Sequence, residues 1–134
     1  MADHVLFVCK SCGFSAEEDE RNGISGGNFL CDRLKEKCET WQYVDRVAVQ
    51  AVGCLCICEQ PCAIAISHPT KPTFLFVNLS PENVAADILK MCELYVDSDS
   101  GMVSRHLLPE SMQVARLARI PALADATPRS PALG

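Results

Sequence analysis

The chain predicts an α/β fold with a four-stranded mixed sheet, on three observations. Short apolar runs alternate with two longer segments of helical periodicity. Their order is strand, helix, strand, strand, strand, helix. Hydrophobic residues make up 49% of the 134 positions, enough for one domain with a real core.

The first strand is His4 to Cys9, whose continuous run Val5, Leu6, Phe7, Val8 suits a strand buried on both faces. Gly13 to Ser25 is polar, carries Glu17-Glu18-Asp19-Glu20 and reads as a loop with a solvated acidic face. A helix is expected from Gly27 to Gln42, because Phe29, Leu30, Leu34, Cys38 and Trp41 fall at helical spacing with charges opposite. Asp45 to Val52 is the second strand, ended by Gly53. Ala63 to Ser67 and Thr73 to Leu79 form an antiparallel hairpin around His68-Pro69-Thr70-Lys71-Pro72. Ser80-Pro81 offers a capping serine and a proline at the first helical position. The helix it opens would bury Val84, Ile88, Met91, Cys92 and Tyr95 and run to Val96. A short third helix is expected from Pro109 to Ile120, with residues 1–120 as the domain. Residues 121–134 are Pro- and Ala-rich and read as a disordered tail.

The opening βαβ unit should have parallel strands and a right-handed connection. A hairpin and helix follow. This is the order of the thioredoxin-like α/β core, which alone says little about function.

Twelve basic residues against seventeen acidic give a net charge of −5. A nucleic-acid partner is not expected, because no basic surface would neutralise phosphates. No apolar run approaches the roughly 20 residues of a membrane helix. The amino terminus lacks the basic region and long apolar stretch of a secretory signal, so a cytoplasmic location is expected. Thiols are kept reduced there.

Nine cysteines are therefore the main lead. Parallel first and second strands point their carboxyl ends to one edge of the sheet. Cys9 and Cys12 lie at the end of the first strand, and Cys54, Cys56 and Cys58 lie just beyond the second. The third strand runs back, so Cys62 at its start reaches the same edge, where open α/β sheets place ligands. The helix near Gly27 starts there too, and its dipole would favour thiolate. Cys31, Cys38 and Cys92 fall on buried helix stripes and read as core. His4 and His68 belong at the opposite edge, on the order of 20 Å away along the strands, in surface or turn roles. His106 sits in a loop with no pattern around it, and Trp41 reads as core.

Clustered thiolates suit zinc or an iron–sulfur cluster. Cys9-x-x-Cys12 with Cys54-x-x-x-Cys58 supplies four sulfurs at a spacing unlike the symmetrical pairs of a zinc ribbon. Four thiolates serve [2Fe–2S] and [4Fe–4S] centres alike. The stretch Val52-Gly53-Cys54-Leu55 to Cys58, then a proline and an apolar strand, resembles the second ligand pair of thioredoxin-like [2Fe–2S] ferredoxins. More closely, Leu6-Phe7-Val8-Cys9-Lys10-Ser11-Cys12, Gln50 to Leu55, Cys58-x-x-x-Cys62 and Pro72 to Leu79 resemble a bacterial family of predicted metal-binding proteins of unknown function.

That resemblance covers roughly residues 3–120. It implies a thioredoxin-like fold, a cluster, and a role near corrin or metal metabolism, since members accompany cobalamin-biosynthesis genes. Carried over from the ferredoxin pattern, the ligands are Cys9, Cys12, Cys54 and Cys58. Cys62 stands as an alternative to Cys12 or Cys58, and Cys56 alternates with its neighbours and can point the other way.

The expected protein is a small [2Fe–2S] electron-transfer or cluster-carrying protein rather than an enzyme. Its expected partner is a redox protein or a metal-cofactor biosynthesis enzyme. Glu59 and the Glu17–Glu20 run would offer an acidic docking face. One alternative is a zinc thiolate protein, structural or metallochaperone. Another is thiol–disulfide chemistry at Cys9 and Cys12, with Pro61 in the place of a cis proline. No Ser–His–acid set, phosphate loop or spaced carboxylate pair is visible.

Overall fold

The computed structural model describes residues 3–10, 12, 13, 18, 20–53, 55 and 62–122. The strands are β1 His4–Cys9, β2 Glu20–Arg21, β3 Ile24–Ser25, β4 Val47–Val52, β5 Ile64–His68, β6 Lys71–Phe76 and β7 Arg116–Ile120. The helices are α1 Gly26–Cys38, α2 Ala85–Asp97 and α3 Glu110–Ala115, with a 3-10 turn at Arg105–Leu107. Five strands form one sheet in the order β4-β1-β5-β6-β7. β1 and β4 are parallel, with Cys9 beside Val52, and the other pairs are antiparallel.

The α/β class and the thioredoxin-like order stand, with one strand more than expected. Arg116 to Ile120 falls within the expected third helix, but α3 ends at Ala115 and the chain continues as β7. Five residues reading Arg-Leu-Ala-Arg-Ile fit either period. Unpaired backbone groups on the edge of β6 decide it, pairing Phe74 with Arg119 and Leu75 with Ala118. The Arg116 guanidinium lies 5.0 Å from the centre of the Phe74 ring and donates to the Val103 carbonyl at 2.7 Å.

Other boundaries move for local reasons. The loop expected over Gly13 to Ser25 contains the β2–β3 hairpin. Its turn residues Asn22 and Gly23 have φ of 53° and 80°, which these two residue types tolerate best. Ser25 caps α1, its hydroxyl accepting from the Asn28 amide at 3.1 Å and donating to the Lys10 carbonyl at 2.6 Å. The first helix therefore starts at Gly26 and stops at Cys38, four residues short of Gln42. Trp41 falls beyond it, stacks on Tyr43 and donates to Glu93 of α2 at 2.8 Å. Ser80-Pro81 does not open the second helix. The Asn83 amide donates to the Ser80 carbonyl at 3.1 Å in an isolated turn, and α2 begins at Ala85 without a side-chain cap.

The core lies between the sheet and its helices. Leu6, Val8, Ile64, Ile66, Phe74 and Phe76 meet Leu30 and Leu34 of α1 and Ile88, Met91 and Tyr95 of α2. β1 is not buried on both faces: Val5 and Phe7 are only half-buried on the side away from Leu6 and Val8. Cys31, Cys38 and Cys92 are core residues as expected, and burial raises each thiol pKa. Tyr95 donates to the Pro72 carbonyl at 2.8 Å, tying α2 to β6. Residues 123–134, and with them nearly all of the expected tail, lie outside the described residues.

Candidate metal centre

The centre is assembled by the carboxyl end of β1, the first turn of α1 and the approach to β5. The Cys9 amide donates to the Ala63 carbonyl at 3.1 Å, and the Lys10 amide to Val52 at 3.0 Å, so β1 is gripped from both sides where it ends. The Cys12 amide then turns back onto the Cys9 carbonyl at 3.3 Å. The Cys12 carbonyl accepts from the Gly27 amide at 2.9 Å, joining the turn to α1. Cys62 is held across the sheet end by a reciprocal pair of backbone bonds with Leu79, at 3.2 and 3.3 Å.

All three thiols are buried, and Cys12 neighbours both Cys62 and Cys9. The Cys62 thiol donates to the Gly13 carbonyl at 3.2 Å. The Cys12 thiol is pushed far above the ordinary range, first by its bond with Cys62 and then by burial, while its bonds to Cys9 and to the Ala63 backbone act the other way. Cys12, Cys31, Cys38, Cys62 and Cys92 are free thiols.

Of the expected ligands, Cys9 and Cys12 are therefore brought together, with Cys62 beside them. Cys54, Cys56 and Cys58 lie outside the described residues, as do Glu17, Asp19, Glu59 and Pro61. Val52, two positions before Cys54, is the register partner of Cys9, so β4 leads the chain toward this edge. Glu18 of the acidic run pairs with Arg21 at 2.8 Å. A low-pKa, accessible nucleophile is the requirement for thiol–disulfide exchange, and buried Cys9 and Cys12 with a raised Cys12 pKa oppose it.

The donor set suits a soft metal group. Cys12 neighbours both Cys9 and Cys62, although the three sulfurs do not all lie within 4.8 Å of one another, and among the described residues no carboxylate or imidazole forms a three-donor group with them. Sulfurs alone, shielded from water, are the ordinary surroundings of an iron–sulfur cluster or a thiolate zinc ion.

The opposite end of the sheet holds residues whose role the sequence reading missed. His4 was expected in a surface role, but it is only 2% exposed, and Lys71 is buried beside it. Lys71 Nζ lies 2.9 Å from His4 Nε2 and donates to the carbonyls of Tyr95 and Val96 at 2.9 and 3.2 Å. It thereby closes the carboxyl end of α2. Burial is the main cause lowering both the His4 and the Lys71 pKa.

Comparison with known proteins agrees with this architecture. Two solved structures of the thioredoxin-like [2Fe–2S] ferredoxin from Aquifex aeolicus share the fold. One superimposes with a TM-score of 0.55 at 14% identity, over 89% of this chain and 94% of that one. The wild-type structure at 1.5 Å gives 0.52 at 15% identity, over 88% and 99%. The fold is therefore thioredoxin-like. By sequence, residues 6–122 match the family described as protein of unknown function DUF1636, and the chain belongs to that family. No curated protein matches it. No helix among the described residues is long and apolar enough to cross a membrane.

Proposed function

We propose that this chain is a small iron–sulfur protein that holds a [2Fe–2S] cluster at the carboxyl end of β1 and serves in electron transfer or cluster carrying. The observation that carries the reading is the burial of Cys9, Cys12 and Cys62 at one sheet edge, with Cys12 beside each of the other two. Cys9 and Cys12 would hold the cluster together with Cys54 and Cys58, with Cys62 as the alternative donor. When bound, the cluster supplies one-electron redox chemistry.

The chain's own part is to place and shield sulfur. The end of β1, the Cys9–Cys12 turn and the Cys62–Leu79 clasp fix the positions of three donors before any metal arrives. Each ligating thiol must release its proton, so loading liberates protons and is hindered in acid. Burial excludes water from the sulfurs. Residual backbone amides near the loop would set the potential through hydrogen bonds to sulfur. A redox protein or a metal-cofactor biosynthesis enzyme, in the cytoplasm and near corrin metabolism, is the partner this reading favours. Its support is the family resemblance.

Anaerobic purification followed by iron, acid-labile sulfide and zinc analysis, with absorbance and EPR, tests the reading. About two irons and two sulfides per chain are expected. About four of each would indicate a [4Fe–4S] centre. Zinc without sulfide would replace the cluster by a thiolate zinc site.

A further inference from the structure

We infer that Arg105, Arg116 and Arg119 form a binding site for a small oxyanion, a phosphate or carboxylate group, at the outer edge of the sheet. β7 is the edge strand there, separated from β1 and its cysteines by β5 and β6. In a regular strand, residues three apart face opposite sides. β7 is not regular. Phe76 pairs with Arg116 and Phe74 with Arg119, so a step of three on β7 matches a step of two on β6. The extra residue is a bulge, and it turns Arg116 and Arg119 to one face, that of Phe74 and Phe76.

Arg105, from the 3-10 turn, completes the group. All three arginines line one cavity of about 240 Å³, together with Phe74, Leu117 and Ala118. That room is equivalent to several waters and accepts one phosphate or carboxylate group.

Arg116 is the anchored member. It is half-buried, with its guanidinium 5.0 Å from the centre of the Phe74 ring and its Nη1 donating to the Val103 carbonyl at 2.7 Å. Arg105 and Arg119 are exposed and more loosely held. Arg105 Nη2 reaches the Arg116 carbonyl at 3.5 Å, and Arg119 Nη1 lies 3.4 Å from Met102 Sδ, a weak acceptor. A guanidinium carries five N–H donors, so these contacts leave most of each fork for a ligand. Such planar forks match the oxygens of phosphate and carboxylate.

No counter-ion balances the group. Acidic residues outnumber basic ones by seventeen to twelve in the chain. Yet among the described residues none forms an ion pair with these three arginines. Burial first, and then the charges of Arg105 and Arg119, lower the Arg116 pKa. Like charges gathered on one cavity repel, and a bound anion relieves that repulsion. The net charge of −5 over the chain opposes a long polyanion and leaves a single anionic group as the ligand that fits.

Titration of the full chain with inorganic phosphate, and separately with succinate, at constant ionic strength tests the site. Backbone amide and arginine Nε NMR signals are the readout. The expected result is a saturable shift of the Arg105, Arg116 and Arg119 signals. Arg105→Ala and Arg119→Ala should each weaken binding about tenfold with an unchanged circular-dichroism spectrum. Arg119→Lys keeps the charge without the fork and should fall between Arg119→Ala and the wild type. Arg33→Ala, on α1, should leave binding unaltered. Saturation by both probes supports a general oxyanion site, and saturation by one assigns the site to that group. The inference is overturned if neither probe gives a saturable shift, if chloride at the same ionic strength gives the same shifts, or if Arg105→Ala and Arg119→Ala bind as the wild type does. None of these outcomes bears on whether the sulfurs hold a cluster.

Discussion

A β carbon placed on Gly27 would lie 1.9 Å from the carbonyl oxygen of Cys9. The first turn of α1 is thus pressed directly on the backbone that ends β1, closer than any side chain permits. Both partners are backbone, so no rotamer change can relieve the clash. Gly27→Ala should cost about 3 kcal/mol or more of folding stability. It should also lower the metal content of the sulfur centre, since the Cys12 carbonyl is bonded to the same Gly27 amide. Gly53→Ala is the control, because a β carbon there meets nothing within 4 Å among the described residues. Urea midpoints of the two variants check the difference.

The buried polar tie between α2 and β6 should be measurable as well. Tyr95→Phe removes the donor to the Pro72 carbonyl and leaves that oxygen buried, at a cost of about 1–2 kcal/mol. Lys71→Met keeps the stem but strands the Tyr95 and Val96 carbonyls, at about 1–3 kcal/mol. Thermal melts at neutral pH read both. Equal stability of Lys71→Met and wild type would mean that the carbonyls at the end of α2 find water instead.

Cys92 supplies a pH dependence whose sign is fixed. Burial, first of all, raises its thiol pKa above the ordinary 9.0. The folded state therefore keeps a proton that the unfolded state releases. That stability is complete below pH 9 and is lost as pH climbs above it toward the folded value. Denaturant midpoints should fall more steeply above pH 9 for the wild type than for Cys92→Ala. At neutral pH the alanine variant should lose about 1–2 kcal/mol through its cavity, with the chromophore intact. In native protein at pH 8, Cys31, Cys38 and Cys92 should resist iodoacetamide.

The apolar runs and helical stripes placed β1, β4, β5, β6 and both long helices, because burial patterns survive into tertiary structure. Topology then took Cys9, Cys12 and Cys62 to one edge, where Cys12 lies beside each of the other two. What escaped was decided by contacts absent from local pattern. β7 exists because β6 had an open edge, and α2 starts late because the chain leaving Leu79 first turns at Ser80. Asn22-Gly23 is a turn pair set among charges, which give the short strands beside it no apolar pattern. His4 looked like a strand-end surface residue. Nothing near it in sequence says that Lys71, sixty-seven positions away, buries with it.

Serine replacements at the sulfur edge separate ligands from neighbours. Cys9→Ser, Cys12→Ser, Cys54→Ser and Cys58→Ser should each abolish the chromophore and bring iron down to background. Cys62→Ser should keep it. The Cys62 thiol already donates to the Gly13 carbonyl, and a hydroxyl can make the same bond. Its place beside Cys12 should still be felt, because exchanging sulfur for a smaller, more polar oxygen next to a ligating sulfur changes the field at the centre, so the reduction potential should shift in Cys62→Ser. The opposite pattern, with Cys62→Ser colourless and Cys12→Ser coloured, would make Cys62 the ligand and leave Cys12 as the hydrogen-bonding neighbour. Either pattern requires that Cys31→Ser and Cys38→Ser keep full colour. Loss of colour there, with folding intact, would break the division between core and ligand thiols on which the proposed function stands.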